Sequence, residues 1–275
     1  MEIRIAHSPD SDDAFMFYAL ATNKLPTGEL TFTHRLEDIE TLNRKALKGE
    51  YEVTALSFHA YAYVSDRYAL LPSGASMGDR YGPIVVSIEA WEAQDVRGRK
   101  IAVPGTLTTA FLALRLFQPD FRPVVMPFDQ IMGAVARREV DAGLLIHEGQ
   151  LTYAQEGLHK VLDLGQWWHE RTGLPLPLGG NGIRRDLGPE RILEISRLIK
   201  ESIQYALDHR RDALQHALQY ARGLSHGEAD QFVSMYVNRR TLDYGEDGRR
   251  AVRLLLKKAH SQGLIPHPVT VDFAG

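Results

Sequence analysis

The run Leu174-Pro175-Leu176-Pro177-Leu178-Gly179-Gly180-Asn181-Gly182 suits no helix. Its two prolines lack N–H donors, and its three glycines give up more backbone freedom in a helix than any other residue. The stretch reads as an extended crossing, and its flanks say what it joins. Upstream, strand-like and helix-like periods alternate. Downstream, Ile192, Ile195, Leu198, Ile199, Ile203 and Leu207 hold helical spacing, and the rest of the chain stays helical to a last helix over about 246–262 closed by Gly263 and Pro266.

Working back from the crossing, residues 140–146 form an extended run that ends at His147-Glu148-Gly149. Before it come a helix carrying Ile131, Met132 and Val135, with Asp129 as its expected cap, and a strand over 124–127. A strand over 101–103 then leads through Pro104-Gly105-Thr106 into a helix over about 108–117. The polar turn at 95–100 marks a second crossing. The N-terminal part repeats the theme: strands over 3–6, 30–34, 53–56 and 83–88, with helices after Asp10, Asp12 and Asp13 and over about 38–48. Continuous apolar strands flanked by helices are what a parallel sheet covered on both faces produces. The fold class is α/β and two-lobed, with a larger lobe over 1–88 plus 183–275, a smaller lobe over 89–182, two crossover segments and a central cleft.

Composition excludes several classes. The chain has 275 residues, 44% apolar, 24% charged and 9% aromatic, which is ordinary for a globular enzyme. A net charge of −3 from 32 basic and 35 acidic side chains makes no field for a polyanion, so no nucleic-acid partner is expected. Cysteine is absent, which removes disulfides, thiolate nucleophiles and Cys-ligated zinc. The opening Met1-Glu2-Ile3-Arg4-Ile5-Ala6 runs straight into a strand without a signal-peptide pattern, and no apolar stretch approaches the roughly 20 residues of a membrane span. A soluble, cytoplasmic protein with no membrane partner is the expectation.

Ligands in such sheets lie beyond the carboxyl ends of strands, which directs attention to four loops: 7–13, 55–59, 105–110 and 147–150. In Pro104-Gly105-Thr106-Leu107-Thr108-Thr109-Ala110 a glycine turn opens a helix, aiming backbone N–H groups and threonine hydroxyls at one carboxylate-sized point; Thr108 as a plain N-cap is the competing reading. Ala55-Leu56-Ser57 offers the same geometry from the first lobe, with Ser57 equally readable as a cap. His147, at a strand end, is the best general base and otherwise a satisfied structural histidine. Glu148 either orients it or is solvated. Asp10, Asp12 and Asp13 read as caps and dipole partners rather than as a metal site. Trp167, Trp168 and Tyr153 either stack on a ligand or belong to the core. No HExxH, CxxC, GxxxxGK[ST], GxGxxG or GxSxG pattern occurs.

Taken together, His7-Ser8-Pro9-Asp10-Ser11-Asp12-Asp13-Ala14-Phe15-Met16, Thr54-Ala55-Leu56-Ser57, Val103-Pro104-Gly105 with Thr108-Thr109-Ala110, and Gly143-Leu144-Leu145-Ile146-His147-Glu148 resemble the 1,4-dihydroxy-6-naphthoate synthases of the futalosine-dependent menaquinone pathway. The resemblance spans the whole chain and implies a type II periplasmic-binding-protein-like fold. It implies a carbon–carbon lyase that takes a small-molecule carboxylate, cyclic dehypoxanthinyl futalosine, to 1,4-dihydroxy-6-naphthoate with loss of dihydroxyacetone. No cofactor and no metal are implied. It makes His147 the proton acceptor, with Ala55, Leu56, Ser57, Thr109 and Ala110 holding substrate. Two other readings stand beside it: a chorismate dehydratase of the same pathway and fold, and a carboxylate-binding protein without chemistry.

Overall fold

A computed structural model describes residues 1–221 and 224–274. Eleven strands are found among them: β1 (Glu2–His7), β2 (Thr31–Leu36), β3 (Val53–Ser57), β4 (Tyr68–Leu70), β5 (Ser76–Gly78), β6 (Ile84–Ser87), β7 (Lys100–Val103), β8 (Arg122–Val125), β9 (Ala142–Leu145), β10 (His159–Asp163) and β11 (Leu176–Arg184). They make two sheets. The first has the order β2-β1-β3-β11-β4, with β5 also on β11; the second runs β10-β6-β9-β7-β8.

The expected parallel core is present in each sheet but does not fill it. β2, β1 and β3 are parallel, as are β8, β7 and β9. β11 runs antiparallel to β3, β4 and β5, and β6 is antiparallel to β9 and β10.

The Pro/Gly run is itself a strand. Asn181 pairs with Ala55 and Gly182 with Thr54, while the register slips between Pro177 and Gly179, where a proline is tolerated. Sheet membership therefore moves both crossings toward the N-terminus from 88/89 and 182/183: Ile84–Ser87 belongs to the second sheet and Leu176–Arg184 to the first.

The helices are capped largely as their sequences require. Asp10 caps Ser11–Met16, Asp38 caps Ile39–Ala46 and Thr108 caps Thr109–Phe117, each accepting a first-turn N–H. Ser225 and Glu228 close a capping box on His226–Tyr236. Asp129 is an exception. It lies inside a single 3₁₀ turn, Phe128–Gln130, and the helix Ile131–Ala136 starts at Gln130 without a side-chain cap. That helix is held by packing instead: a Cβ on Gly143 of β9 would lie 2.4 Å from Ile131 Cγ2, so only glycine lets helix and strand meet.

The cores share out along the sheets. Ile3, Ile5, Val53 and Ile183 pack under Ile195, Leu198, Ile199 and Ile203 of the long helix Pro189–Asp208. Leu56, Val85, Ile101 and Leu144 pack with Leu112 and Leu114 in a cluster that also takes Val252, Leu255 and Leu256 from the last helix, Gly245–Ser261. Fully burying each such side chain stabilises by roughly 1.5–3 kcal/mol. Trp168 is core, its indole N–H donating to the Pro175 carbonyl at 3.0 Å; Trp167 packs edge-on against Phe117, and Tyr153 packs beside a smaller cluster. None of the three lines the cleft. No helix among the described residues is long and apolar enough to cross a membrane.

Candidate active site

Strand ends of both sheets converge on one cleft of about 750 Å³, counting the space open to solvent. The loop after β1 brings Ser8, Asp10, Asp12 and Asp13; the end of β3 brings Ala55, Leu56 and Ser57. The segment after β7 brings Thr108, Thr109 and Ala110, and the turn after β9 brings His147. All six expected substrate-binding residues and the expected base therefore lie on one surface.

His147 sits at φ 54°, in the left-handed region, at a cost of roughly 1 kcal/mol. Two contacts hold it there. The Phe128 ring meets the imidazole edge-on with centroids 5.0 Å apart, and Asp10 Oδ2 lies 2.9 Å from Nδ1. Asp10 comes from the first sheet and His147 from the second, so this dyad is made across the cleft. With Nδ1–H donated to Asp10, the free lone pair falls on Nε2, which has no hydrogen-bond partner among the described residues.

Burial alone would lower the His147 pKa, but the Asp10 charge and hydrogen bond outweigh it and raise it above the ordinary imidazole value. Burial likewise opposes ionisation of Asp10, yet His147 holds that carboxyl well below the usual range. Asp12 and Asp13 go the other way, pushed well up by burial and then by the neighbouring Asp10 charge.

Helix opening and cleft share the threonines. Thr108 accepts from the Phe111 N–H at 3.1 Å and donates to the Gly105 carbonyl at 3.0 Å, so its side chain is spent on capping although it lines the cleft. The N–H groups of Thr109 and Ala110 have no acceptor among the described residues, which leaves them for an anion. Thr109 Oγ1 accepts from the His59 N–H at 3.3 Å and keeps its own proton to donate. On the facing strand the Ser57 N–H is taken by Asn43 Oδ1 at 2.9 Å, and Asn43 Nδ2 donates to Ser57 Oγ at 3.0 Å; the hydroxyl, not the backbone, is what Ser57 offers. No lysine or arginine lines the cleft among the described residues.

A family model described as menaquinone biosynthesis matches residues 3–261. The chain belongs to that family. It is 44% identical to 1,4-dihydroxy-6-naphthoate synthase from Thermus thermophilus over 272 residues, covering 98% of this chain and 99% of the relative. It is 40% identical to the enzyme of that name from Streptomyces coelicolor over 270 residues, covering 96% and 95%. The crystal structure of protein AF1704 from Archaeoglobus fulgidus superposes with a TM-score of 0.92 at 52% identity, covering 96% of this chain and 98% of that one. The alkanesulfonate-binding protein SsuA from Xanthomonas axonopodis pv. citri, at 12% identity and a TM-score of 0.73 over 98% and 96% of the two chains, shares the fold alone. The fold is that of periplasmic binding proteins.

In this member of the menaquinone biosynthesis family, a reading by loops misses Asn181 and Tyr236 and the second role of Asp10. Asp10 is both cap and dyad partner: Oδ1 accepts the Asp13 N–H at 3.3 Å while Oδ2 meets His147. The orienting carboxylate is thus Asp10 rather than Glu148, which is buried, not solvated. Asn181 of β11 faces Ala55 across the ladder and lines the cleft with its Nδ2 unpartnered among the described residues. Tyr236 and Gln150, joined by a 2.8 Å hydrogen bond, reach in from the helix His226–Tyr236 and from the turn after His147. The carboxyl groups of Asp10, Asp12 and Asp13 have ligand atoms within 4.8 Å of one another. Caps and hydrogen bonds engage them: Asp10 as above, Asp13 with the Ser8 N–H at 2.7 Å, Asp12 with Asp10.

Proposed function

We infer that this chain is a carbon–carbon lyase that converts cyclic dehypoxanthinyl futalosine to 1,4-dihydroxy-6-naphthoate with release of dihydroxyacetone. The observation that carries the reading is the His147–Asp10 dyad facing a cleft whose other wall offers unclaimed donors at Thr109 and Ala110. The full-length likeness to two synthases of that name supports it.

The substrate carboxylate sits on the Thr109 and Ala110 N–H groups and on the hydroxyls of Thr109 and Ser57. Neutral donors suffice there because the helix N-terminus carries partial positive charge in a water-poor site. His147 Nε2 takes a proton from the bound ring. The C–H electron pair becomes a ring double bond, the carbon–carbon bond to the leaving fragment breaks, and aromatisation drives the step. Asp10 stabilises the imidazolium as it forms, and closure of the sheets over the ligand excludes water.

Incubating the purified protein with cyclic dehypoxanthinyl futalosine and following the naphthoate by absorbance and mass tests the reading. Product without added cofactor is expected. Ligand bound and recovered unchanged would return the chain to the binding-protein class, and turnover of chorismate would make it a dehydratase. His147→Asn is expected to lose turnover by about 100-fold or more while keeping affinity. Equal loss of both removes His147 from the base role.

A further inference from the structure

When a carbon–carbon bond breaks heterolytically, an electron pair leaves with one fragment and needs a proton. His147 supplies the base for the first half of that exchange; the second half needs an acid near the same cleft. Most candidates there are too weakly acidic. Burial pushes the Tyr236 phenol, hydrogen-bonded to Gln150 Oε1 at 2.8 Å, well above its ordinary range, and Thr108 is an alcohol that donates to the Gly105 carbonyl. The hydroxyls of Ser57 and Thr109 are alcohols, too weakly acidic to protonate a leaving fragment near neutral pH.

Asp12 remains. It stands in the first turn of Ser11–Met16, lines the cleft and is 8% exposed. It hydrogen-bonds to Asp10, and its Oδ1 has no hydrogen-bond partner among the described residues. Three carboxyl groups with ligand atoms within 4.8 Å of one another, in a cleft lined by no lysine or arginine among the described residues, cannot all ionise. Asp10 faces His147 and takes the charge, and Asp12, facing Asp10, keeps its proton. Burial and the Asp10 charge both push the Asp12 carboxyl upward in agreement.

We propose that Asp12 is the second acid–base residue of the reaction and delivers the proton that the departing fragment requires. The proposal rests on the lyase reading above. In the step, the substrate proton goes to His147 Nε2 and its C–H pair into the ring. The pair of the broken carbon–carbon bond leaves on the fragment and takes the Asp12 O–H proton. What is left, an imidazolium and the Asp12 carboxylate with Asp10 between them, returns to the starting state by proton exchange. No oxidant, reductant or co-reactant is consumed.

Asp12→Asn tests this cleanly, because the amide is a neutral isostere of a protonated carboxyl and lacks only its acidity. The expected result is a KM within about threefold of the parent and a kcat lower by about 100-fold or more. The parent kcat–pH profile should also show an alkaline limb that Asp12→Asn lacks. Unchanged kcat, a raised KM with kcat kept, or an alkaline limb that survives the substitution overturns the proposal. If Asp12→Asn does not fold by circular dichroism, Asp12→Glu and Asp13→Asn decide: an alkaline limb that moves in Asp12→Glu and stays in Asp13→Asn supports Asp12, and a limb that stays in Asp12→Glu or disappears in Asp13→Asn overturns it. Parent protein that forms no naphthoate sinks the lyase reading itself, whereas active parent with fully active Asp12→Asn sinks only the role of Asp12.

Discussion

At the scale of single residues, Asp10 sets both the tautomer and the basicity of His147. Its carboxylate, 2.9 Å from Nδ1, is what lifts a buried imidazole above the ordinary value instead of letting burial depress it. The sign for activity follows. The base works unprotonated, so kcat/KM falls as pH drops through the raised His147 pKa, at a higher pH than an isolated histidine would give. Asp10→Asn removes the charge and leaves burial uncompensated, so the acid limb of the kcat/KM profile should move to lower pH while the rate on the plateau falls about 100-fold. An acid limb that stays put would show that His147 does not titrate in that profile.

At the scale of elements, the turn that opens Thr109–Phe117 is held from the other sheet. Glu40 Oε2, on the helix Ile39–Ala46, accepts the Leu107 N–H at 3.0 Å while Oε1 pairs with Arg44 at 2.7 Å. Asn43, one turn on, bonds both Ser57 and the Leu107 carbonyl. Gly105 lies against this brace: an added Cβ would stand 2.2 Å from Glu40 Oε2. Gly105→Ala should therefore push Glu40 or the turn aside, lowering stability by about 1–3 kcal/mol. It should also raise KM, because the Thr109 and Ala110 N–H groups shift with the turn. Thermal denaturation and initial rates on one preparation read both, and a variant as stable as the parent with unchanged KM would refute the brace.

At the scale of the whole molecule, folding buries histidines that must stay neutral. His7 stacks on Phe17 at 4.7 Å and shares a 3.1 Å hydrogen bond between its Nε2 and His34 Nδ1; burial lowers both to about 4. The unfolded chain takes up these protons near pH 6.5 and the folded chain only near 4, so this stability is present above 6.5 and lost as pH falls through that window. For fully buried His7 the loss approaches roughly 3 kcal/mol. Asp12 and Asp13, pushed up, contribute the opposite slope, so the diagnostic is a difference: His7→Gln should flatten the decline of the urea midpoint between pH 7 and 4 relative to the parent. Parallel declines would exclude His7 as a source.

The same scale separates what the chain order reveals from what it hides. Strand ends, the Pro-Gly-Thr turn, the caps at Asp10 and Thr108, and the four loops that meet at the cleft are local patterns, because period and capping act within a few residues. That sufficed for an α/β chain with a cleft and for the loops that line it, but not for Asn181 on β11 or Tyr236 on the helix His226–Tyr236. Three things were decided only by tertiary structure. Residues 176–182 of the Pro/Gly run join strand β11, paired with β3 and β5; Ile84–Ser87 pairs with β9 and β10 of the second sheet; and Asp129 lies inside a 3₁₀ turn that leaves the cap position to Gln130. The dyad belongs to the same class. Asp10 and His147 lie 137 positions apart, and no local pattern joins a cap in one sheet to an imidazole in the other; only bringing the two sheets together around a shared cleft buries both groups, sets a carboxylate at Nδ1 and shifts the two together.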